Sequence, residues 1–383
     1  MGPERIVRQF LSECSGALHY KIILYGSLAA TGRGHGTDTV IRRNMPEGTE
    51  ILFDTVTATP VHPNTMDLVA EYRDHVECRR AYSLGGGAIA FEGQAQEEEP
   101  DVYPLSTFHE IASECTRRGM RLWQYAAECE IDDIFAYLTD VWTQMKESIR
   151  AGLEAEGVLP GGLNIQRKAH YLMSLKRAEE APETARDRTV CAYAYAVAEQ
   201  NAAGEVIVTA PTCGSCGVMP AVLKYMQDKH GFTDEEVVRA LASGGIVGNL
   251  IKTNASISGA ECGCQAEIGS ACSMTAAALT ELFHRPIPEL EYAAELSMEH
   301  HLGLTCDPVK GLVQIPCIER NAVAALRALD ALSLSSFLTN TRKVSFDTIV
   351  RTMYETGRDL GSGYRETSER GLAKLFREND DRA

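Results

Sequence analysis

Seven of the twelve cysteines are concentrated in the second half of the chain, and this concentration is the first indication of chemistry. Their spacings match neither a zinc finger nor a ferredoxin. Cys264, Cys306 and Cys317 differ from the others because glycine, proline or polar turn residues surround each of them. Thiolates on separate turns can converge into a soft-ligand set for iron–sulfur chemistry, with one coordination position left for a substrate. The alternative for any single cysteine is a small buried core residue.

Polar side chains in other loops offer groups that bind or activate a small substrate. His35 lies in a glycine-rich loop, where its imidazole is either a titrating group or a solvated side chain. Asn254, Ser256 and Ser258 supply an amide and two hydroxyls, and Thr212 supplies a hydroxyl in another loop. Such donors can hold the carboxylate of an amino acid, but the same residue types also cap helices. The sequence leaves both roles open.

Two different patterns divide the chain into two parts. Three segments of the first part have strand or hairpin patterns: 20–28, 50–56 and 78–92. Residues 85–87 are glycines and predict the bend of the hairpin, and the acidic, proline-containing segment 92–104 is the best candidate linker. We therefore predict an α+β fold, with a small mixed α/β N-terminal domain over residues 1–100 and a larger, nearly all-α domain over residues 101–383.

After the linker, apolar residues recur at helical spacing. Thr233 and Glu236 have the spacing of a capping box. Helices are predicted in segments 131–153, 271–283 and 289–302. The second of these is rich in small residues, which let helices approach closely and predict a tightly packed bundle. His300 and His301 fall near a helix C-terminus, where a structural role is expected.

Composition excludes several classes of protein. The chain has 383 residues, 44% of them hydrophobic, and a formal net charge of −16. Such an acidic chain is not expected to bind nucleic acid or an anionic membrane surface. The first thirty residues contain no apolar block typical of a secretory signal, so we expect a cytoplasmic protein with reduced thiols.

Long segments of the chain resemble a known family. The cysteine-bearing segments are NASISGAECGCQAEIGSACSMTAAALTEL, GLTCDPVKGLVQIPCIERNAVAA and, upstream, APTCGSCGVMPAVL. The segments MYETGRDLGSGYRETSERGLA, LYGSLAATGRGHGTD and SLGGGAI extend the likeness in collinear order over essentially the whole chain. Together they resemble the bacterial iron–sulfur-dependent L-serine dehydratases, or L-serine ammonia-lyases.

The resemblance implies a site and a reaction. It implies that Cys264, Cys306 and Cys317 ligate a [4Fe-4S] cluster whose fourth iron is open, and that no pyridoxal phosphate is used. It also implies that His35 is the acid–base residue close to the cluster. L-Serine is then dehydrated by Lewis-acid chemistry, and the aminoacrylate released yields pyruvate and ammonia. The resemblance further implies that the protein is a homodimer and that its substrate is a small amino acid.

The chain departs from the family pattern at both ends. In the family, a Gly-Pro-Ser-Ser-Ser-His-Thr loop lies near the start, whereas this chain begins Met1-Gly2-Pro3, which is similar to the tail of that motif. Either the recorded start is an internal methionine or the protein is a shortened form. Some members place a C-terminal cysteine on the open iron, but the last cysteine here is Cys317.

Three other functions stay open on the sequence alone. A pyridoxal-phosphate dehydratase would need a lysine near a phosphate-binding glycine loop, and no lysine here has that setting. A cluster-bearing redox sensor or an inactive amino-acid-binding protein would bind without producing pyruvate. A related lyase would act on threonine or cysteine, since a pocket rejects one methyl group by only about 1–3 kcal/mol.

Overall fold

Alternation of apolar and polar residues builds a five-stranded sheet in the first part of the chain. The strands are β1 His19–Tyr25, β2 Glu50–Asp54, β3 Thr65–Glu71, β4 Val76–Gly85 and β5 Ala88–Phe91. Their order is β2-β1-β3-β4-β5, with β1 and β2 parallel and every other neighbouring pair antiparallel. Tyr20, Ile22 and Leu24 alternate on the buried face of β1. The predicted strands and hairpin are confirmed, whereas β3 was not predicted.

Three helices accompany this sheet. They are α1 Gly2–Glu13, α2 Gly26–Thr31 and α3 Thr37–Asn44. Ile6, Val7 and Phe10 recur at helical spacing on α1 and are fully buried in the core that α1 shares with the sheet. Since β1 and β2 are parallel, the chain must cross over between them, and α2 and α3 form that crossover.

The structure is a computed structural model that describes residues 2–94, 102–130, 133–175 and 179–380. From residue 102 onward the described elements are almost entirely helical, which confirms the predicted α+β fold class. The predicted domain boundary after residue 100 and most of the predicted linker lie outside the described residues, so the boundary stays a prediction.

The helical part contains α4 Phe108–Arg118, α5 Leu122–Cys129, α6 Ile134–Glu154, α7 Ala169–Ser174, α8 Pro182–Ala202, α9 Val218–His230, α10 Asp234–Asn254, α11 Gly259–Cys262, α12 Ser270–Leu282, α13 Ile287–Glu299, α14 Cys317–Leu338, α15 Phe346–Asp359 and α16 Gly371–Asp380. The predicted capping box at Thr233 and Glu236 begins α10. The predicted helices correspond to α6, α12 and α13.

Helix α12 lies at the centre of the bundle. All of its residues are buried, and it packs against α9, α10, α13 and α14. Close approach to α10 depends on Gly248, because a Cβ atom there would lie 2.8 Å from the Met274 side chain. The small-residue pattern therefore predicted the tight packing correctly.

Helix α14, with the turn that follows it, is also apolar. Residues Cys317–Thr341 are long and apolar enough to cross a membrane by length and composition alone. One face of α14 packs against α8, α12 and α13, as expected of a core helix. This apolar helix is weak evidence for a membrane span, because buried helices of soluble proteins have the same composition.

Candidate active site

Three separate segments of the helical part bring Cys264, Cys306 and Cys317 together. Cys264 follows Gly263, whose φ of 73° is left-handed and where a Cβ atom would lie 2.8 Å from the Leu304 carbonyl oxygen. Cys306 pairs with the C-terminal segment, because its amide donates to the Tyr364 carbonyl at 2.8 Å. Cys317 is the first residue of α14. Each thiol is thus fixed by its own backbone constraint.

The three thiols are buried and interact electrostatically with one another. Their residues are 3%, 5% and 9% exposed in chain order. A hydrogen bond from the Cys306 thiol, together with the charge of the Arg320 guanidinium, lowers the pKa of Cys264. The same hydrogen bond raises the pKa of Cys306, and burial raises that of Cys317. Cys264 is therefore the first of the three to become a thiolate.

These thiols suit a cluster better than a single ion. Within the described ranges, no group of three or more His, Cys, Asp or Glu side chains could hold a metal ion. A cluster needs less convergence, because each thiolate binds a different iron. In chemistry and burial, the three thiols are therefore compatible with the ligands of an iron–sulfur cluster.

Two carboxyl groups that the sequence analysis did not select border the thiols. Glu267 Oε2 lies 3.9 Å from Cys306 Sγ, and its Oε1 accepts a 2.8 Å hydrogen bond from Thr212 Oγ1. Burial, aided by the charge of Glu366, raises the pKa of Glu267 to about 8. Burial also raises the pKa of Glu366 to about 7. Both groups can therefore carry a proton near neutral pH.

His35 comes from the sheet part of the molecule and meets Glu366. Its Nδ1 lies 3.2 Å from Glu366 Oε1. Burial lowers the pKa of His35 to about 4, so the imidazole is neutral at neutral pH. When the Glu366 carboxylate accepts from Nδ1–H, the other ring nitrogen has a free lone pair and can take up a proton.

Main-chain contacts hold His35 and Glu366 at this position. The Glu366 amide donates to the Cys306 carbonyl at 2.8 Å, and its own carbonyl accepts from Ser27 Oγ at 2.9 Å. In the His35 loop, a Cβ atom at Gly34 would lie 2.1 Å from the Gly311 carbonyl oxygen. The loop therefore reaches the helical part backbone to backbone.

Asn321 fixes the loop that carries Thr212. Its Nδ2 donates to the carbonyls of Gly214 and Cys317, and its Oδ1 accepts from the Gly217 amide at 2.8 Å. The side chain is 1% exposed, so all three bonds are shielded from water. One residue of α14 thus connects this loop to a proposed cluster ligand.

The predicted substrate-binding residues occupy different positions. Thr212 contacts Glu267 and lies in the site. Ser258 is buried next to Gly259, where a Cβ atom would lie 3.4 Å from Cys306 Sγ. Ser256 Oγ donates to Glu261 and accepts from the Ser258 amide.

The Asn254 side chain binds backbone carbonyls and not the residues around the thiols. It is exposed at the end of α10, where its amide donates to the carbonyls of Ser106 and Leu250. The amide that we predicted to bind the substrate therefore donates to two backbone carbonyls near the end of α10.

The remaining cysteines of the second half differ in burial. Cys262 is fully buried beside Gly357, and burial raises its pKa to about 11. Cys272 and Cys216 are fully buried next to backbone carbonyls, and Cys213 is half-buried. Cys213 differs from the other three, because burial and the charges of Glu267 and Glu366 raise its pKa and place it beside the site.

The chain is similar over nearly its whole length to proteins of one known family. The profile of the serine dehydratase alpha chain family matches residues 68–373. The chain is 37% identical to an L-serine dehydratase of Haemophilus influenzae and 38% identical to the L-serine dehydratase TdcG of Escherichia coli. Each alignment covers 97% of this chain and 94% of the relative. A Helicobacter pylori L-serine dehydratase is 33% identical, with 98% and 95% covered.

Proposed function

The chain belongs to the L-serine dehydratase family, and from this membership we propose that it deaminates L-serine to pyruvate and ammonia. The site observation that best supports this activity is the neutral His35 imidazole, paired with Glu366 beside three buried thiols. Dehydration of serine needs a base for the α-proton and help for the departing hydroxyl, and the site supplies groups for both.

The cofactor that we propose is a [4Fe-4S] cluster held by Cys264, Cys306 and Cys317. Support comes from their burial, their mutual electrostatic contact and the nearby Arg320 guanidinium, which offsets the negative charge of thiolates. When bound, such a cluster supplies a Lewis-acidic iron that assists departure of a hydroxyl group.

His35 is the base in this proposal. Its neutral imidazole takes the α-proton, and Glu366 accepts from Nδ1–H and stabilises the imidazolium that forms. In this proposal the Glu267 carboxyl, 3.9 Å from Cys306 Sγ, and the Thr212 hydroxyl that donates to it bind polar groups of the substrate. Loss of water leaves aminoacrylate, which tautomerises and hydrolyses without a protein group.

For the substrate carboxylate we propose Thr212 and Ser258 as direct donors, because Thr212 contacts Glu267 and Ser258 precedes Gly259, which faces the Glu267 and Cys306 side chains. Ser256 supports Ser258 through its amide. Asn254 contributes only if its amide leaves the two carbonyls that it now binds. We further propose a cytoplasmic homodimer that binds neither nucleic acid nor a membrane and needs no pyridoxal phosphate.

The test is anaerobic reconstitution with iron and sulfide, followed by iron content, visible absorbance and pyruvate release from L-serine. Single Cys264→Ala, Cys306→Ala and Cys317→Ala variants should lose the absorbance and the activity together. Cys262→Ala is the matched control, because Cys262 is buried two residues from Cys264 but packs against α15. Full absorbance in a variant removes that cysteine from the ligand set, and a clustered wild type without pyruvate release contradicts the proposed activity.

A further inference from the structure

A cavity of about 430 Å³ opens beside the thiols but is distinct from the space that His35 reaches. Its lining includes Arg320, which also contacts Cys264, whereas His35, Glu366, Glu267 and Thr212 do not line it. Its volume is within the range of small-molecule sites, about 300–1,000 Å³. The cavity therefore adjoins the candidate active site through one shared arginine.

The charges around the cavity favour an anion. Arg320 and Arg327 line it, together with His300 and the exposed Glu319. The Lys168 ammonium lies 3.5 Å from the Glu319 carboxylate and offsets its charge. Two arginines thus line the cavity in a chain whose net charge is −16, and Arg320 also pairs with the buried Asp307 carboxylate at 3.8 Å, so Arg327 supplies most of the positive charge open to an anion.

Both arginines are held in place by hydrogen bonds to backbone carbonyls. Arg320 Nη1 donates to the Thr305 carbonyl at 2.7 Å, and Arg327 Nη1 donates to the His300 carbonyl at 2.8 Å. A guanidinium has five N–H donors, and Arg320 shares its own among Thr305, Asp307 and Cys264, so Arg327 keeps more donors for a ligand. The rest of the lining is mainly apolar, with Ile268 buried and Val323 exposed at the rim.

From these contacts we infer that the cavity binds a small carboxylate with a short aliphatic body. Its carboxylate is held between Arg327 and Arg320, and its apolar part lies against Ile268 and Val323. A planar carboxylate matches the geometry of a guanidinium. The choice of ligands rests on the proposed function, whose product is a 2-oxo acid and whose substrate is an α-amino acid.

The test is calorimetric titration of the anaerobically reconstituted full chain with sodium pyruvate and, separately, with L-alanine, which lacks the β-hydroxyl and is not dehydrated. Arg327→Gln should weaken binding by about tenfold or more, because a hydrogen bond to a charged group contributes about 1.5–3 kcal/mol. Arg327→Lys keeps the charge and should bind more tightly than Arg327→Gln. Arg351→Gln, at an exposed arginine of α15 outside the lining, is the matched control.

A second variant tests the shape of the cavity without removing charge. Val323→Trp should weaken binding by filling the rim, and its exposed position makes the change compatible with folding. Binding of pyruvate alone identifies a 2-oxo acid site, and binding of L-alanine alone identifies an amino-acid site. Absence of heat with both probes, or equal affinity in wild type and Arg327→Gln, overturns the inference. Carboxylate binding without pyruvate release from L-serine supports the cavity and contradicts only the proposed activity.

Discussion

Replacement of Glu366 by glutamine tests whether its carboxylate positions His35. The two side chains meet with Nδ1 3.2 Å from Oε1, and the Glu366 side chain is only 14% exposed. A hydrogen bond to a charged group contributes about 1.5–3 kcal/mol, and each 1.36 kcal/mol corresponds to about tenfold in rate. We therefore expect kcat/KM for L-serine to fall by about 10- to 150-fold in Glu366→Gln.

The pH profile should change in a way that a merely structural role would not produce. Burial raises the pKa of Glu366 to about 7 and lowers that of His35 to about 4. As the pH rises through about 7, the wild-type carboxyl ionises and becomes a better acceptor for Nδ1–H, so kcat/KM should rise. Glutamine does not ionise, so the variant should lack this rise.

The assay is pyruvate release by anaerobically reconstituted protein, with iron content measured in every sample. Glu369→Gln is the matched control, because Glu369 is an exposed glutamate three residues further along the same segment. The reasoning is refuted if fully clustered Glu366→Gln stays within about twofold of wild type in kcat/KM and keeps the rise near pH 7.

Three further predictions concern stability and are measured by thermal or denaturant unfolding of the protein without cluster. Glu267→Gln should raise Tm near pH 8 and should raise it far less near pH 5. The folded protein raises the pKa of Glu267 to about 8, so ionisation of this carboxyl costs folding free energy as the pH rises above its unfolded pKa, and glutamine removes that cost. An equal change in Tm at both pH values contradicts this prediction. Asn321→Ala should cost about 2–4 kcal/mol, since three buried bonds are lost; a loss below about 1 kcal/mol would show that the 212–217 loop is held by other contacts. Gly263→Ala should cost about 1–3 kcal/mol from its positive φ, and a neutral effect would indicate that the Leu304 carbonyl can move.

The sequence predicted the elements whose signal is local. Alternation in β1 and β2, the glycine bend between β4 and β5, the capping box of α10 and the small residues of α12 were all readable, because each depends on neighbours within a few positions. Strand β3, TMDLVAE, was missed, although its Met66, Leu68 and Ala70 alternate on the buried side. It is as long as β1 and longer than β2, so the same alternation could have identified it.

The candidate site was only partly predictable for a different reason. Cysteines in turns are unusual enough to be noticed, but Glu267 and Glu366 are two of many glutamates, and most glutamates lie on the surface. Only the fold shows that both reach the same thiols. The signal that could have identified them is their place inside the segments CGCQAEIGS and SGYRETSER, which resemble the family. Arg320 was missed likewise, three residues after Cys317.

The contact between Gly34 and Gly311 determines which sequence changes the protein can tolerate. Because the two main chains touch with no room for a Cβ atom between them, the distance from His35 to the thiols depends on no side chain at this junction. Substitutions elsewhere on the outer surface of the sheet can therefore accumulate over generations without displacing His35. At Gly34, by contrast, a Cβ atom would lie 2.1 Å from the Gly311 carbonyl oxygen, and Gly311 has a φ of 71° that side chains rarely adopt, so we expect random mutagenesis with selection for growth on serine to recover neither position altered.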